Sequence, residues 1–167
     1  MGRPFFIMQI YLIGFMGCGK SLMGSKLAKL LEIPFIDSDT LIEKEMKMSI
    51  SEIFTSLGES EFRSLETNIL MSFNSDAVFA TGGGVVESIE NYHFIMETQA
   101  IVIWLNPAWA TLYQRIKNSG RPLLKDKTEA ELKELFNSRK VRYSELADII
   151  YTGSSADELL AQIKKPV

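Results

Sequence analysis

Cysteine, net charge and long apolar runs are all scarce in this sequence. The 167 residues include one cysteine, so no internal disulfide can form, and a lone thiol suits a reducing cytoplasm. Eighteen Lys and Arg against 21 Asp and Glu leave a net charge of -3, which provides no basic field to attract nucleic acid or an anionic membrane. We therefore expect a cytoplasmic protein with no nucleic-acid or membrane partner, and a single His and Cys also argue against a zinc site.

The longest apolar run lies near the start of the chain, over residues 5–16, after Arg3. It is shorter than the roughly 18 apolar residues that a membrane-spanning helix requires. Its outline resembles a secretory signal peptide, but Gln9 and Tyr11 interrupt it, and Phe15 stands where a cleavage site needs a small residue. We expect no cleaved leader.

Short apolar runs alternate along the chain with longer stretches of helical periodicity. No repeat or linker divides them and 46% of the residues are apolar, so we expect a single domain over residues 1–167. The alternation predicts an α/β fold with a doubly wound parallel sheet, whose ligands bind beyond the carboxyl ends of the strands. The strand candidates are residues 10–13, 34–36, 78–80, 101–105 and 149–151. Helical spacing is seen in Met23, Leu27, Leu30 and Leu31, in Leu65, Ile69 and Phe73, and in Leu132, Leu135 and Phe136.

A phosphate-binding loop follows the first strand candidate. Residues 14–21 read GFMGCGKS and match G-x-x-x-x-G-K-[ST], ahead of a helix candidate. Glycines let successive backbone N–H groups point at phosphate oxygens, and the helix adds its positive end. The match predicts that Lys20 contacts the β- and γ-phosphates of a nucleotide and that Ser21 is a ligand of Mg²⁺. Cys18 stands at a free position of the motif and is interpreted as a small residue facing the loop, not as a nucleophile.

The other strand ends narrow the class of nucleotide-binding protein. The fourth strand candidate runs into NPAW at 106–109, whereas a GTPase would carry N-K-x-D to read guanine. The third ends in three glycines at 82–84, whereas a motor-type ATPase would place an acidic residue there. Asp37 and Asp39 instead follow the second strand candidate. The sequence therefore predicts two acids beside the phosphates.

The order and spacing of five motifs resemble the shikimate kinase family over nearly the whole chain. They are the phosphate-binding loop, DSD at 37–39, FRSLE at 62–66, GGG at 82–84 and RPLL at 121–124. The resemblance implies a nucleoside-monophosphate-kinase-like fold with three α/β/α layers, a central five-stranded parallel sheet and a lid over about 117–130. It also implies a monomeric enzyme that uses ATP and Mg²⁺ to phosphorylate the 3-hydroxyl of shikimate, on the chorismate route to aromatic amino acids.

The family resemblance places substrate binding mainly in residues 37–66. Asp39 resembles the acid that holds the substrate hydroxyls, and Asp37 resembles the acid near Mg²⁺. An alcohol that attacks a phosphoryl group must be held in line and must lose its proton, which suits a carboxylate base at Asp39. The alternative for both aspartates is an Asx turn that caps a helix from Thr40.

Two arginines, Arg63 and Arg139, resemble the family's clamp for the substrate carboxylate, which a guanidinium fork matches with two hydrogen bonds. Glu66 follows Arg63 by three residues on one helical face, where it can steer the fork or accept a substrate hydroxyl; a surface salt bridge is the alternative. The family's second arginine precedes a tyrosine by four residues, which selects Arg139 before Tyr143 and leaves Arg142 as a minor competitor.

The resemblance implies that the remaining substrate and lid contacts come from glycines and from one more arginine. Gly82, Gly83 and Gly84 resemble the backbone shelf under the substrate ring, with an ordinary strand-to-helix turn as the alternative. Arg121 lies in a basic segment marked by Gly and Pro and resembles the lid arginine that closes on the ATP phosphates. A solvated loop is the alternative for that segment.

Nucleotide contacts are expected from the phosphate-binding loop and from Arg115, which resembles the residue that stacks on adenine. The family's second adenine contact falls at residues 152–155, which read TGSS, so base recognition there is expected to use the backbone. His93 lies outside every motif and is interpreted as an ordinary helix residue. The residues predicted to bind the nucleotide are Gly17, Cys18, Gly19, Lys20, Ser21, Leu22, Arg115 and Arg121.

Two other functions fit the same motifs. One is a different small-molecule kinase of this fold, such as a gluconate or nucleoside monophosphate kinase, whose substrate clamp would differ. The other is a regulator that binds ATP and a carboxylate without phosphoryl transfer. Release of ADP that depends on a particular acceptor would separate these functions.

Overall fold

A five-stranded parallel sheet lies at the centre of the protein. The computed structural model describes residues 8–117, 119–121, 124 and 126–164. The strands are β1 (Gln9–Ile13), β2 (Phe35–Asp37), β3 (Ala77–Ala80), β4 (Ile101–Leu105) and β5 (Ile149–Tyr151). Their order is β2-β3-β1-β4-β5 and every neighbouring pair is parallel, which confirms the predicted sheet. The second strand lies one residue later than predicted, because Asp37 pairs with Ala80 in the ladder.

Helices connect these strands. In the described ranges they are α1 (Lys20–Leu31), α2 (Ser38–Met46), α3 (Ile50–Ser56), α4 (Glu59–Ser72), a 3-10 helix (Val85–Glu87), α5 (Ile89–Glu97), α6 (Trp109–Ile116), α7 (Glu129–Leu146) and α8 (Ala156–Ile163). The three predicted helical patterns fall on α1, α4 and α7, although Leu30 is exposed and Phe73 lies just past the end of α4. Over the part of the chain that the structure describes, no helix combines the length and the apolar character needed to cross a membrane.

The sheet is covered on both faces. Apart from Gln9 at the start of β1, strands β1, β3 and β4 are apolar at successive positions and almost wholly buried, so both of their faces must be shielded by helices. Helices α1 and α8 pack together, and α5 packs against α4 and α7. These two groups form the outer layers of an α/β/α arrangement.

The carboxyl ends of all five strands meet at one edge of the sheet, because the strands are parallel and in register. That edge carries the phosphate-binding loop after β1, Asp37 at the end of β2, and residues 82–84 after β3. The loop at 152–155 follows β5 at the same edge. The topology thus brings together motifs that are far apart in the sequence. The expected lid over 117–130 is described only in part, since residues 118, 122, 123 and 125 lie outside the described residues.

Candidate active site

Lys20, the first residue of α1, turns its ammonium group back toward the phosphate-binding loop. Its Nζ donates hydrogen bonds to the carbonyl oxygens of Gly14 (2.7 Å) and Phe15 (3.2 Å), and lies 3.6 Å from Cys18 Sγ. The positive charge therefore lies at the mouth of α1, where the N-terminal end of the helix also favours phosphate. Cys18 is buried against this loop, as expected of a small residue.

Gly17 allows the loop to pack closely against α6. Its φ of 77° is in the left-handed region, and a Cβ at this position would lie 2.6 Å from Ile116 Cγ2. Arg115, also on α6, donates a hydrogen bond of 3.0 Å from Nη1 to the Gly17 carbonyl. Arg115 thus braces the loop in addition to lining the cavity where the nucleotide is predicted to bind.

Asp37 has two roles, one for each carboxylate oxygen. Oδ1 accepts hydrogen bonds from the backbone N–H groups of Asp39 (3.1 Å) and Thr40 (3.4 Å), so Asp37 caps α2, which begins at Ser38 and not at Thr40. Oδ2 accepts a hydrogen bond of 2.5 Å from Ser21 Oγ at the start of α1. Asp37 is therefore the helix cap of the alternative interpretation, and it also lies beside the phosphate-binding loop.

The paired oxygens of Ser21 and Asp37 fit a magnesium ion. Mg²⁺ prefers oxygen ligands and usually binds one or two protein groups together with phosphate oxygens and water. Within the described ranges, no group of three or more His, Cys, Asp and Glu side chains gathers around a common point. A site of this composition suits an ion that arrives with a nucleotide and does not require a cage built from protein ligands alone.

Asp39 and Glu66 direct two acceptor oxygens at the same point. Asp39 Oδ1 and Glu66 Oε1 are both buried, and neither has a hydrogen-bond partner among the described residues. A Cβ at Gly82 would clash with Glu66 Oε1 and lie 3.5 Å from Asp39 Oδ1, so both oxygens lie against this glycine. Buried acceptors without donors are costly, and they suit a ligand that brings hydroxyl groups.

Both of these carboxyl groups have altered acidity. Burial raises the pKa of Asp39, repulsion from Asp37 raises it further, and Lys20 and Arg121 oppose the shift. Burial likewise raises the pKa of Glu66, against the attraction of Arg63. A raised pKa makes a carboxylate a better proton acceptor, which suits Asp39 as the base.

Arg63 lies on α4, and its guanidinium group points at the glycine segment of residues 82–84. Its Nη1 donates to Glu66 Oε2 at 2.9 Å, and its Nη2 donates to Glu59 Oε1 at 3.3 Å. Burial lowers the pKa of the Arg63 guanidinium, but the neighbouring glutamates outweigh it and the pKa is raised overall. A Cβ at Gly84 would lie 2.6 Å from both Nη atoms, so the guanidinium rests directly on the glycine backbone. Because Glu66 is buried, the pair is not the surface salt bridge of the alternative interpretation.

Arg139 on α7 is the more deeply buried of the two predicted clamp arginines, with 4% of its side chain exposed. Its Nη2 donates to Glu87 Oε2 at 2.9 Å, while Nε and Nη1 have no partner in the part of the chain described. Arg142 instead donates from Nη1 to the carbonyl oxygens of Val86 (2.6 Å) and Glu87 (3.0 Å). Because Arg142 already donates to backbone carbonyl oxygens, Arg139 is the better candidate for the clamp.

Two residues near the site were not predicted as functional. The buried hydroxyl of Tyr143 donates to the carbonyl oxygen of Gly83 and holds the glycine segment against α7, and burial raises the pKa of Tyr143 and keeps the hydroxyl protonated. The sequence contained a signal for it, because Tyr143 lies one helical turn after Arg139 and so shares its face. Glu87 is the other, and no local pattern indicates it.

Two neighbouring cavities collect these groups, and they share Asp39, Gly83 and Arg121. The larger, of about 750 Å³, is lined by Gly17, Cys18, Gly19, Lys20, Ser21, Leu22, Asp37, Arg115 and, after β5, Thr152, Gly153 and Ser154. The smaller, of about 350 Å³, is lined by Glu43, Arg63, Glu66, Gly82 and Gly84 among others. All the predicted nucleotide residues thus lie in one cavity. The predicted substrate residues lie in the other, except Arg139, which is next to Glu66 and Glu87.

Comparison with known proteins decides the family of this site. The family model described as shikimate kinase matches residues 16–166. This chain belongs to the shikimate kinase family. A curated shikimate kinase of Macrococcus caseolyticus is 43% identical over 144 residues, which cover 85% of each protein.

Solved structures place the fold of this shikimate kinase family member among phosphate-loop kinases. A shikimate kinase from Acinetobacter baumannii in complex with shikimate has a TM-score of 0.87 and 34% identity, and the match covers 94% of this chain and 93% of that one. YorR from Bacillus subtilis, in complex with phosphorylated GDP, has a TM-score of 0.58 at 17% identity, with 93% and 92% covered, and shows the fold alone. The nucleoside-monophosphate-kinase-like fold that the family resemblance implied is therefore confirmed.

Proposed function

We propose that this protein transfers the γ-phosphoryl group of ATP to the 3-hydroxyl of shikimate. The observation that carries the proposal is the meeting of the two cavities at Asp39 and Arg121. One cavity holds the phosphate-binding loop, and the other holds a pair of hydroxyl acceptors beside Arg63. A donor phosphate and an acceptor hydroxyl would meet at that junction without a covalent enzyme intermediate.

The proposed substrate residues match a small polyol that carries a carboxylate. Asp39 and Glu66 supply acceptors for hydroxyls, while Arg63 and Arg139 supply donors for the carboxylate, and the glycine segment at 82–84 gives the ring a flat backbone surface. The related structure from Acinetobacter baumannii, described in complex with shikimate, supports this choice of substrate.

The proposed transfer balances as a displacement at phosphorus. The 3-hydroxyl oxygen forms a bond to the γ-phosphorus, the bond from that phosphorus to the bridging oxygen breaks, and ADP leaves. The hydroxyl proton passes to the carboxylate of Asp39. Lys20 and Arg121 neutralise the negative charge that develops on the transferring group and on the leaving oxygen.

Ser21 and Asp37 would hold Mg²⁺ through their oxygens. The ion supplies charge neutralisation and geometry for the β- and γ-phosphates when it is bound. The hydrogen bond from Ser21 Oγ to Asp37 Oδ2 keeps both groups next to the loop.

A coupled assay for ADP release tests the proposal with three acceptors: shikimate, gluconate and AMP. We expect ADP release with shikimate, and only the acceptor-free background with the other two. Turnover with gluconate or AMP would identify another kinase of the same fold. ATP binding with no acceptor-dependent ADP release would identify a non-catalytic regulator and refute the proposed enzyme.

We also propose a cytoplasmic monomer that acts on the chorismate route to aromatic amino acids. The lone buried cysteine is compatible with a reducing compartment. The pathway follows from the proposed substrate. Sedimentation equilibrium, with an expected mass near the chain mass of 18.8 kDa, tests the monomer.

A further inference from the structure

Glu87 occupies a position between the two arginines of the proposed clamp. Its Oε2 lies 2.9 Å from Arg139 Nη2 and 3.7 Å from Arg63 Nη2. A carboxylate on this line makes the same charge-assisted contacts that a substrate carboxylate would make with the two guanidinium groups. The protein thus carries its own anion beside the proposed anion site.

Hydrogen bonds from Arg142 hold the backbone around Glu87, whereas the Glu87 side chain is partly exposed to solvent. Glu87 ends the 3-10 helix, and Arg142 Nη1 binds the carbonyl oxygens of Val86 and Glu87. The Arg142 guanidinium also lies over the ring of Tyr92, 5.8 Å from its centre. The Glu87 side chain is 40% exposed, so its carboxylate has solvent available when it leaves the arginines.

The side chains of the two clamp arginines are less exposed to solvent than that of Glu87. Arg139 has 4% of its side chain exposed and Arg63 has 19%, so both guanidinium groups have less solvent access than the Glu87 carboxylate. Arg139 also keeps Nε and Nη1 without acceptors in the described part of the structure. If a substrate carboxylate replaces the Glu87 carboxylate, the side chain that moves away is therefore that of Glu87.

We propose that Glu87 is an internal competitor of the substrate carboxylate, which displaces it from Arg139 and Arg63 on binding. This inference rests on the proposed function, because it concerns the same carboxylate clamp. Glu87 keeps the buried charge of Arg139 paired in the free enzyme and weakens the binding of the acidic substrate. It acts as a specificity-determining residue, since a ligand must carry a charge strong enough to replace it.

The test is Glu87→Gln, which retains the size and a hydrogen-bond acceptor for Arg139 but removes the competing charge. We expect the KM for shikimate, and its Kd by calorimetry without ATP, to fall about three- to tenfold. The kcat and the KM for ATP should stay within about twofold, because Glu87 does not reach the phosphate-binding loop. Glu90→Gln removes an exposed charge three residues away and controls for the general field.

A second ligand separates the carboxylate contact from any other effect of the variant. The primary amide of shikimate has no anionic group, so its Kd should be the same for the parent and for Glu87→Gln. An unchanged or higher shikimate Kd in Glu87→Gln, or equal gains for shikimate and its amide, would overturn the competitor role. If the parent enzyme phosphorylates shikimate but Glu87→Gln gains no affinity, this inference alone is contradicted. If the parent enzyme is inactive on shikimate, both the proposed function and this inference are refuted.

Discussion

Asp39 Oδ1 and Glu66 Oε1 approach Gly82 from two different helices, and both are buried acceptors without a partner among the described residues. Burial is the main cause that raises the pKa of each carboxyl group; Asp39 also raises the pKa of Glu66, while Lys20 opposes the shift at Asp39 and Arg63 opposes it at Glu66. A polyol that donates two hydroxyl hydrogens would satisfy both at once. In the proposed reaction, Glu66 would help to hold the acceptor and Asp39 would remove its proton.

Lys20→Met should lower kcat about a thousandfold, because its ammonium stabilises charge on the γ-phosphoryl group as it separates. Folding should be retained, since Lys20 is only partly buried and bonds mainly to loop carbonyls. Steady-state turnover with circular dichroism measures both. Lys29→Met, an exposed position on the same helix, is the control, and turnover within tenfold of the parent would refute the role of Lys20.

Asp39→Asn should lower the single-turnover rate by roughly two to four powers of ten and change shikimate affinity far less. Asn can still hydrogen-bond the substrate hydroxyl but cannot accept its proton at neutral pH. Rapid quench with saturating shikimate measures the step directly, and Asp157→Asn on α8 serves as the control. A near-parental rate would show that Asp39 is not the base.

Asp39→Asn should stabilise the folded protein at neutral pH and lose this advantage in acid. The raised pKa means that the ionised carboxylate disfavours the folded state, a cost absent below the unfolded pKa and fully present above the folded one. Asp39→Asn should therefore have a higher free energy of unfolding than the parent at pH 7. Urea titrations between pH 7 and pH 4 should show this gain shrinking as the pH falls, and a gain that grows in acid would contradict the direction of the shift.

Arg63→Ala and Arg139→Ala should each weaken shikimate binding by roughly 2–4 kcal/mol, because each removes a charged donor from a desolvated carboxylate. Calorimetry would record this as an increase in Kd of about 30- to 700-fold, with ATP affinity nearly unchanged. Lys140→Ala, exposed beside Arg139 on α7, is the matched control. Normal shikimate affinity together with poor ATP binding would mean that the two cavities have been assigned the wrong way round.

Tyr143→Phe should destabilise the protein by about 1–3 kcal/mol, since it leaves the Gly83 carbonyl without its donor. The KM for shikimate should rise because the glycine segment is no longer held against α7. Tyr151→Phe is the paired variant, because its hydroxyl donates to the Ser155 carbonyl (2.7 Å) beside the other cavity. Tyr151→Phe should lose a similar amount of stability but change the KM for ATP instead of the KM for shikimate. Identical effects of the two variants on both KM values would contradict the assignment of the two cavities to ATP and shikimate.

Contiguous motifs were predictable because short-range geometry determines them. Residues 14–21 form the phosphate-binding loop through their own turn and helix start, and Arg63 contacts Glu66 because residues three apart share a helix face. The two-residue spacing of Asp37 and Asp39 likewise separates a helix cap from a free acceptor. The sequence by itself determined these local groups and the class of chemistry that they serve.

Contacts between distant segments depended on the order of the strands and on how helices cover the sheet. Tyr143 meets Gly83 across 60 residues, and Arg139 meets Glu87 across 52, because α7 packs against the segment that follows β3. No local pattern sets the rotation of α7 that turns Arg139 toward Glu87 and Arg142 toward the backbone carbonyls. Only the tertiary structure decided those partners, because side-chain packing selects one rotation of the helix from several that its sequence allows.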